Sequence, residues 1–163
     1  NNAGVGGAFG PVGETTAAEW DFTFAVLARG VFLGIKHASN RMKAQGRGGS
    51  IINTASIAGV GGGAGPHAYS AAKAAVANLT RSVSTELAVH RIRVNAIAPG
   101  PIDTEANRTT TPQEMVADIV KGIPLSRMGE VDDLTGMCLF LLSDQAKWVT
   151  GQIFNVDGGQ IIR

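Results

Sequence analysis

The chain has 163 residues, of which 44% are hydrophobic and 17% are charged. This length and apolar content suit one domain with a real core, and we treat residues 1–163 as a single domain. The net charge is +1 and the fourteen basic residues are scattered, so we expect no partner of nucleic acid or membrane. Cys138 is the single cysteine, which excludes an internal disulfide and favours a reducing, cytoplasmic compartment. No apolar run approaches the roughly 20 residues of a membrane span.

The first half of the chain predicts helix, strand and helix in turn. A long helix is expected from about Ala17 to Lys43, and its middle, residues 22–35, is apolar on nearly every face. Such a helix is covered on two sides, by the sheet and by another surface. The apolar run 50–54, bounded by glycines, predicts a buried parallel strand. A glycine-rich loop over residues 59–65 then leads into a helix that begins near Pro66 and ends at about Val89.

The second half continues this alternation. Residues 92–97 are predicted to form a strand, 131–142 a helix and 152–156 a closing strand. Between them, the polar segment 103–128 is interrupted by proline and glycine, and we interpret it as a mobile flap over a substrate. Within it, residues 111–114 read Thr-Pro-Gln-Glu, which predicts a capping box with proline at the first helical position. The whole order is typical of an α/β domain with a parallel sheet.

Three side chains form a candidate site for proton transfer. Tyr69 and Lys73 are four residues apart on a predicted helix and therefore share one of its faces. A nearby ammonium lowers the pKa of a phenol toward the range of a general acid or base. Ser56 follows a buried strand, where its hydroxyl could hold the oxygen of the reacting group. Taken alone, a Tyr-x-x-x-Lys pair is more often an exposed pair on an ordinary helix, and a serine at a strand end more often caps its own loop.

Several motifs change that balance because they occur in one order along almost the whole chain. They are Asn1–Gly4, Ser56, Tyr69–Lys73, Arg93–Thr104, and Val149–Gln152 with Val156–Gly159. In sequence and spacing they resemble the short-chain dehydrogenase/reductase family, of the classical type. The resemblance implies a Rossmann-like, doubly wound parallel sheet that binds a dinucleotide.

The resemblance also implies that this chain is the C-terminal, catalytic part of an NAD(P)-binding Rossmann fold. The glycines at positions 4, 6, 7 and 10 nearly fit G-x-G-x-x-G, but no apolar strand precedes them, so we interpret them as a loop. The first strands and the glycine-rich turn of the family are missing, roughly 80–90 residues at about 30 per βαβ unit. We therefore expect an N-terminally truncated fragment, whose activity on its own is doubtful.

Family membership would give these residues defined roles in hydride transfer between NAD(P)(H) and a carbonyl or secondary alcohol. Tyr69 would be the general acid/base, Lys73 would lower its pKa and bind the nicotinamide ribose, and Ser56 would hold the substrate oxygen. The choice between NAD and NADP stays open. We assign no residue to a metal site.

The resemblance places two further groups of residues along the cofactor. They are Asn2, Ala3 and Gly4 on the adenosine side, and Pro99, Gly100, Ile102 and Thr104 at the carboxamide. Thr104 could equally be a turn hydroxyl, and Asn95 has an equal claim to function or to a strand-end hydrogen bond. His67 is expected to start its helix at the mouth of the pocket.

One position departs from the family pattern. The long helix of the family usually carries an asparagine that kinks the helix and holds a water of the proton relay, whereas this chain has Leu27 there. Leucine has no polar group, so either the relay takes another path or turnover is slowed. We expect Leu27→Asn to raise the rate.

Two readings of the function follow. The first is an NAD(P)-dependent alcohol dehydrogenase or ketoreductase, acting on a small carbonyl or alcohol as a homodimer or homotetramer. The Tyr-x-x-x-Lys spacing argues against the enoyl reductases of the family, whose lysine lies farther along. The alternative is a non-catalytic assembly subunit or an inactive fragment that binds no dinucleotide, which the apolar helix and Leu27 favour.

Overall fold

Helices and strands alternate along residues 1–162, the part of the chain that the computed structural model describes. The helices are α1 (Ala17–Phe24), α2 (Gly30–Gln45), α3 (His67–Ala88), α4 (Glu105–Thr110), α5 (Gln113–Lys121) and α6 (Val131–Leu142). The strands are β1 (Gly49–Thr54), β2 (Ile92–Pro99) and β3 (Ile153–Val156). The predicted order is thereby confirmed, with α4 as an additional short helix.

The three strands form a parallel sheet in the order β1-β2-β3. The free edge of β1 is joined by the first residue of the chain: the Asn1 amine donates to the Ile52 carbonyl (2.8 Å), and the Thr54 amide donates to the Asn1 carbonyl (3.0 Å). Asn1 therefore lies beside the end of β1 as a parallel neighbour. The residues that follow it emerge at the carboxyl edge of the sheet.

Helices cover both faces of this sheet because side chains alternate along each strand. Ile51 on β1 packs in the core cluster that includes Val76 of α3, whereas its neighbour Ile52 packs in a second cluster with Leu141 of α6. The sheet is thus the middle layer between α2 and α3 on one side and α6 on the other. The α/β, parallel-sheet fold class predicted from the sequence is confirmed.

The predicted long helix is continuous from α1 to α2, but it contains one π turn, Ala25–Arg29. Its buried face presents a residue at every fourth position: Thr23, Leu27, Val31, Ile35 and Ser39. On the opposite side Phe22 (61% exposed), Phe32 and Leu33 face solvent. Within residues 1–162 the helix is covered on one side only, and the second cover stays a prediction.

The segment predicted as a flap has more structure than expected. It holds α4 and α5, and a bridge between Ile102 and Gly129 closes its two ends. The predicted capping box is wrong. Pro112 has an extended backbone and is the N-cap of α5 rather than its first residue, and the Thr111 hydroxyl donates instead to the Asn107 side chain (2.6 Å). No helix in the described part of the chain is long and apolar enough to cross a membrane.

Candidate active site

Ser56 lies directly after β1, where the chain leaves the sheet. Its backbone is extended (φ −167°), and it is the N-cap of a short 3-10 turn, Ile57–Gly59. The Ser56 side-chain oxygen accepts a hydrogen bond from the Ala58 amide (3.2 Å), and its carbonyl accepts one from the Gly59 amide (3.0 Å). The residue is buried, and the turn fixes the direction of its hydroxyl.

Tyr69 and Lys73 lie in the first two turns of α3. The helix begins at His67 because Pro66, with an extended backbone, is its N-cap. The Lys73 ammonium lies 5.6 Å from the centroid of the Tyr69 ring, as expected of residues four apart on one face. The Ser56 hydroxyl is close enough to the Tyr69 hydroxyl to lower the pKa of the phenol. The structure therefore brings together the three side chains that the sequence singled out.

The charge state of this group is set mainly by burial. Desolvation lowers the pKa of Lys73 to about 8, and its ammonium donates to the Thr54 carbonyl (2.7 Å). Burial raises the pKa of Tyr69, and the nearby Ser56 hydroxyl opposes that rise. The expected lowering of the Tyr69 pKa by Lys73 is wrong for this arrangement, because burial of the phenol is the larger effect.

The residues predicted to line the cofactor lie at the same edge of the sheet. Asn2, Ala3 and Gly4 are exposed next to the end of β1, while Pro99 ends the neighbouring strand β2. Carboxyl ends of parallel strands meet at one edge, which is where open α/β sheets bind ligands. These two groups and Ser56 therefore lie at one edge of the sheet.

Hydrogen bonds fix the backbone that follows β2. The Gly100 amide donates to the Val156 carbonyl (3.0 Å), and the Ile102 carbonyl accepts from the Asn107 side chain (2.9 Å). Within residues 1–162 the Ile102 amide donates to no protein acceptor. The Ile102 amide can therefore donate a hydrogen bond to an acceptor such as a carboxamide oxygen.

Two polar residues whose roles were left open have structural partners. The Thr104 hydroxyl accepts from the Asn107 amide (3.2 Å) and caps α4, and its own proton has no acceptor within residues 1–162. Asn95 is fully buried, and both ends of its amide bond the backbone, at Val149 and Gln152. Asn95 is therefore structural, and Thr104 is compatible with both roles.

Sequence reasoning missed the polar group behind the site. Asn53 is fully buried on β1, where its amide donates to the Thr80 hydroxyl on α3 (2.9 Å) and its carbonyl accepts from the Asn1 side chain (2.7 Å). The signal was present, since an asparagine within an apolar strand requires buried partners. Its partners could not be read from the sequence because they are 27 and 52 positions away.

A cavity of about 180 Å³ lies under the flap, beside Ile102 and Val156. Ser56, Tyr69 and Lys73 do not line it, but Ile102, one of the residues predicted to line the cofactor, does. In residues 1–162 no group of three His, Cys, Asp or Glu side chains is placed to hold a metal ion.

Comparison with known proteins identifies the family to which a chain with this site belongs. Residues 1–160 match the sequence model of the family described as "Enoyl-(Acyl carrier protein) reductase". The chain is 60% identical over 116 residues to an uncharacterized oxidoreductase of Mycobacterium tuberculosis, which covers 71% of this chain and 46% of that protein. It is 37% identical to levodione reductase of Leifsonia aquatica (98% of this chain, 62% of that protein). It is 40% identical to sorbitol dehydrogenase of Cereibacter sphaeroides (91% and 62%).

Solved structures agree with these relatives. The crystal structure of levodione reductase superposes with a TM-score of 0.92 at 37% identity, covering 98% of this chain and 64% of that one. A short-chain type dehydrogenase/reductase from Mycobacterium marinum superposes with the same TM-score at 35% identity, covering 99% and 63%. The chain spans about half to two thirds of the length of the relatives that it matches.

Proposed function

Because this chain belongs to the short-chain dehydrogenase/reductase family, whose named relatives are oxidoreductases, we propose that it transfers a hydride between NAD or NADP and a carbonyl or secondary alcohol. The observation that supports this most is the convergence of the Ser56 hydroxyl, the Tyr69 phenol and the Lys73 ammonium at one edge of the sheet. Residues 1–163 would be the catalytic portion of the NAD(P)-binding domain.

Proton transfer is the task of Tyr69. In the reducing direction its hydroxyl donates a proton to the substrate oxygen, and in the oxidising direction the phenolate accepts that proton. Ser56 donates a hydrogen bond to the same oxygen and stabilises the charge that develops there. Because the Ser56 hydroxyl lies beside the phenol, one substrate oxygen can accept from both hydroxyls.

The remaining residues suit a nicotinamide dinucleotide, which supplies or accepts the hydride when it is bound. The Lys73 ammonium has three donors and bonds only the Thr54 carbonyl within residues 1–162, so two donors are free for ribose hydroxyls. The Ile102 amide and the Thr104 hydroxyl would hold the carboxamide. The exposed backbone of Asn2, Ala3 and Gly4 would lie along the adenosine side.

The substrate we propose is a small ketone or its secondary alcohol. Relatives that convert levodione and sorbitol, by their names, support this class. The description of the matching family names an enoyl reductase, but the spacing of Tyr69 and Lys73 favours alcohol and ketone chemistry. We also propose that the protein acts in the cytoplasm as a homodimer or homotetramer.

The test is a comparison of the complete gene product with its Tyr69→Phe variant. Levodione, sorbitol and their redox partners are assayed with both dinucleotides by the absorbance of the reduced nicotinamide. We expect Tyr69→Phe to lower kcat by about 10²–10⁴-fold with unchanged circular dichroism. Ser70→Ala is the matched control, because among the described residues the neighbouring Ser70 hydroxyl bonds only the Gly65 carbonyl (3.3 Å).

A second candidate is a non-catalytic assembly subunit, which Leu27 and the exposed apolar residues of the long helix favour. This reading predicts that Tyr69→Phe changes neither assembly nor thermal stability. If no substrate is converted and neither dinucleotide raises the Tm of the folded protein, the hydride-transfer proposal is wrong.

A further inference from the structure

We propose that Gly59 is a positioning residue, which sets the separation between Ser56 and the helix that carries Tyr69 and Lys73. The proposal rests on the function proposed above, because it assigns Gly59 a role in that reaction. It is drawn from the contact between two backbones, described next.

The 3-10 turn after Ser56 rests directly on the backbone of α3. A Cβ atom at Gly59 would lie 2.5 Å from the Ala74 amide nitrogen and 2.7 Å from the Lys73 carbonyl oxygen. Both distances are far below any contact that a real Cβ makes. The neighbouring atoms belong to a helix backbone, which cannot rotate away as a side chain would.

The same turn holds Ser56. The Gly59 amide donates to the Ser56 carbonyl (3.0 Å), and the Ala58 amide donates to the Ser56 hydroxyl (3.2 Å). Three residues therefore link the serine oxygen to the peptide of the catalytic lysine. If the turn moves away from α3, Ser56 moves with it, and Tyr69 does not.

Position 59 requires glycine because there is no room for a Cβ atom, and not because of its backbone conformation. Gly59 is not among the glycines with positive φ, so alanine could adopt its backbone angles. Gly62, in the same loop, also lacks a positive φ, and a Cβ there would meet nothing within 4 Å. Gly62→Ala is thus a matched control that adds the same methyl group to the same loop without a clash.

Gly59→Ala should therefore separate the Ser56 and Tyr69 hydroxyls in a protein that otherwise keeps its fold. A displacement of about 1 Å at a catalytic group costs about 100-fold in rate, so we expect kcat to fall by about that factor. Ser56→Ala should cause a similar loss, and the double variant should be no slower than Ser56→Ala alone, because both changes remove one interaction.

A readout independent of turnover is available because Tyr69 is the single tyrosine of the 163 residues. Tyrosine labelled with ¹³C at Cζ reports hydrogen bonding of the hydroxyl by NMR, and Tyr69→Phe assigns its resonance in the complete gene product. We expect Gly59→Ala to shift this resonance as Ser56→Ala does, and Gly62→Ala to leave it in place. A folded Gly59→Ala variant that keeps the original resonance would overturn the proposal.

The outcomes distinguish this proposal from the function on which it rests. If the shift occurs but no substrate is turned over, the geometric role of Gly59 stands and the proposed function fails. If Gly59→Ala does not fold, a crystal structure of the unsubstituted protein tests the positioning role of Gly59 instead. Contact of Gly59 with the Lys73–Ala74 peptide in that structure supports the proposal, and its absence overturns it.

Discussion

Lys73 is a buried cation whose acceptor is a backbone carbonyl rather than a carboxylate. Burial lowers its pKa from 10.5 to about 8. Below pH 8 the side chain is charged in the folded and the unfolded chain, and burying that charge destabilises the fold by roughly 3 kcal/mol. Between about pH 8 and 10.5 the folded chain carries a neutral amine while the unfolded chain still binds the proton, so this destabilisation is lost as the pH rises.

A change of Lys73 to methionine makes this dependence measurable. We expect the difference in unfolding free energy between the original protein and Lys73→Met to shift by roughly 3 kcal/mol from pH 7 to 10.5, in favour of the original protein. Urea unfolding across this range measures it, with Lys36→Met, at an exposed position, as the control. A pH-independent difference would contradict the lowered pKa.

Leu27 is the other residue whose chemistry departs from expectation. It is fully buried, and its side chain lies 3.5 Å from the place where a Cβ atom at Gly4 would be. We expect Leu27→Asn to raise kcat by restoring a polar group near the site, and to cost on the order of 3 kcal/mol of stability because it buries an amide. Steady-state kinetics and thermal unfolding measure the two effects. A lower kcat, with Leu27→Met near normal, would show that the site is adapted to leucine.

At the scale of elements, the buried amide of Asn53 joins β1 to α3. Thr80→Val keeps the shape of the side chain but leaves the Asn53 amide without its acceptor, which should cost about 1–3 kcal/mol. Adding Asn53→Leu should recover part of that loss, because the unpaired Asn53 amide is then gone and the Asn1 side chain, which loses its bond to Asn53, is exposed. Chemical unfolding of the two single variants and the double variant measures the coupling, and Thr85→Val, at an exposed position on the same helix, is the control. If the losses of unfolding free energy in the two single variants simply add in the double variant, Asn53 and Thr80 do not form a shared hydrogen-bond network.

Most of these elements could be predicted from local patterns. The strand predicted at 50–54 is β1, and the helix predicted at 131–142 is α6 with the same bounds. The π turn could not be predicted from the sequence, because Ala25–Arg29 has ordinary helix-forming residues. A π turn differs from an α turn only in the carbonyl to which each amide donates. The predicted lowering of the Tyr69 pKa was wrong for a related reason. Burial raises this pKa, and burial depends on segments that are far apart in sequence.

At the scale of the molecule, the long helix leaves an apolar face uncovered. Phe32 is 47% exposed and borders a groove between α2 and α3 with Leu79 and Ala75. We expect this face to pair with a second copy of the chain, so Phe32→Glu should reduce the sedimentation coefficient of the complete gene product without loss of helix content. Val89→Glu, at an exposed apolar residue beyond the end of α3, should have no effect. Equal sedimentation of the two variants would place the subunit contact elsewhere.

The π turn also bears on which insertions and deletions the chain can tolerate. A π turn holds one residue more than an α turn, and the buried stripe on α1 and α2 keeps its direction on both sides of Ala25–Arg29. Loss of one residue here, such as Ala28, would convert the turn to ordinary α-helix and leave both flanking segments facing the sheet. A deletion one turn farther along, in α2, would rotate everything before it by about 100°. Natural length variation in this helix is therefore expected to fall within these five positions.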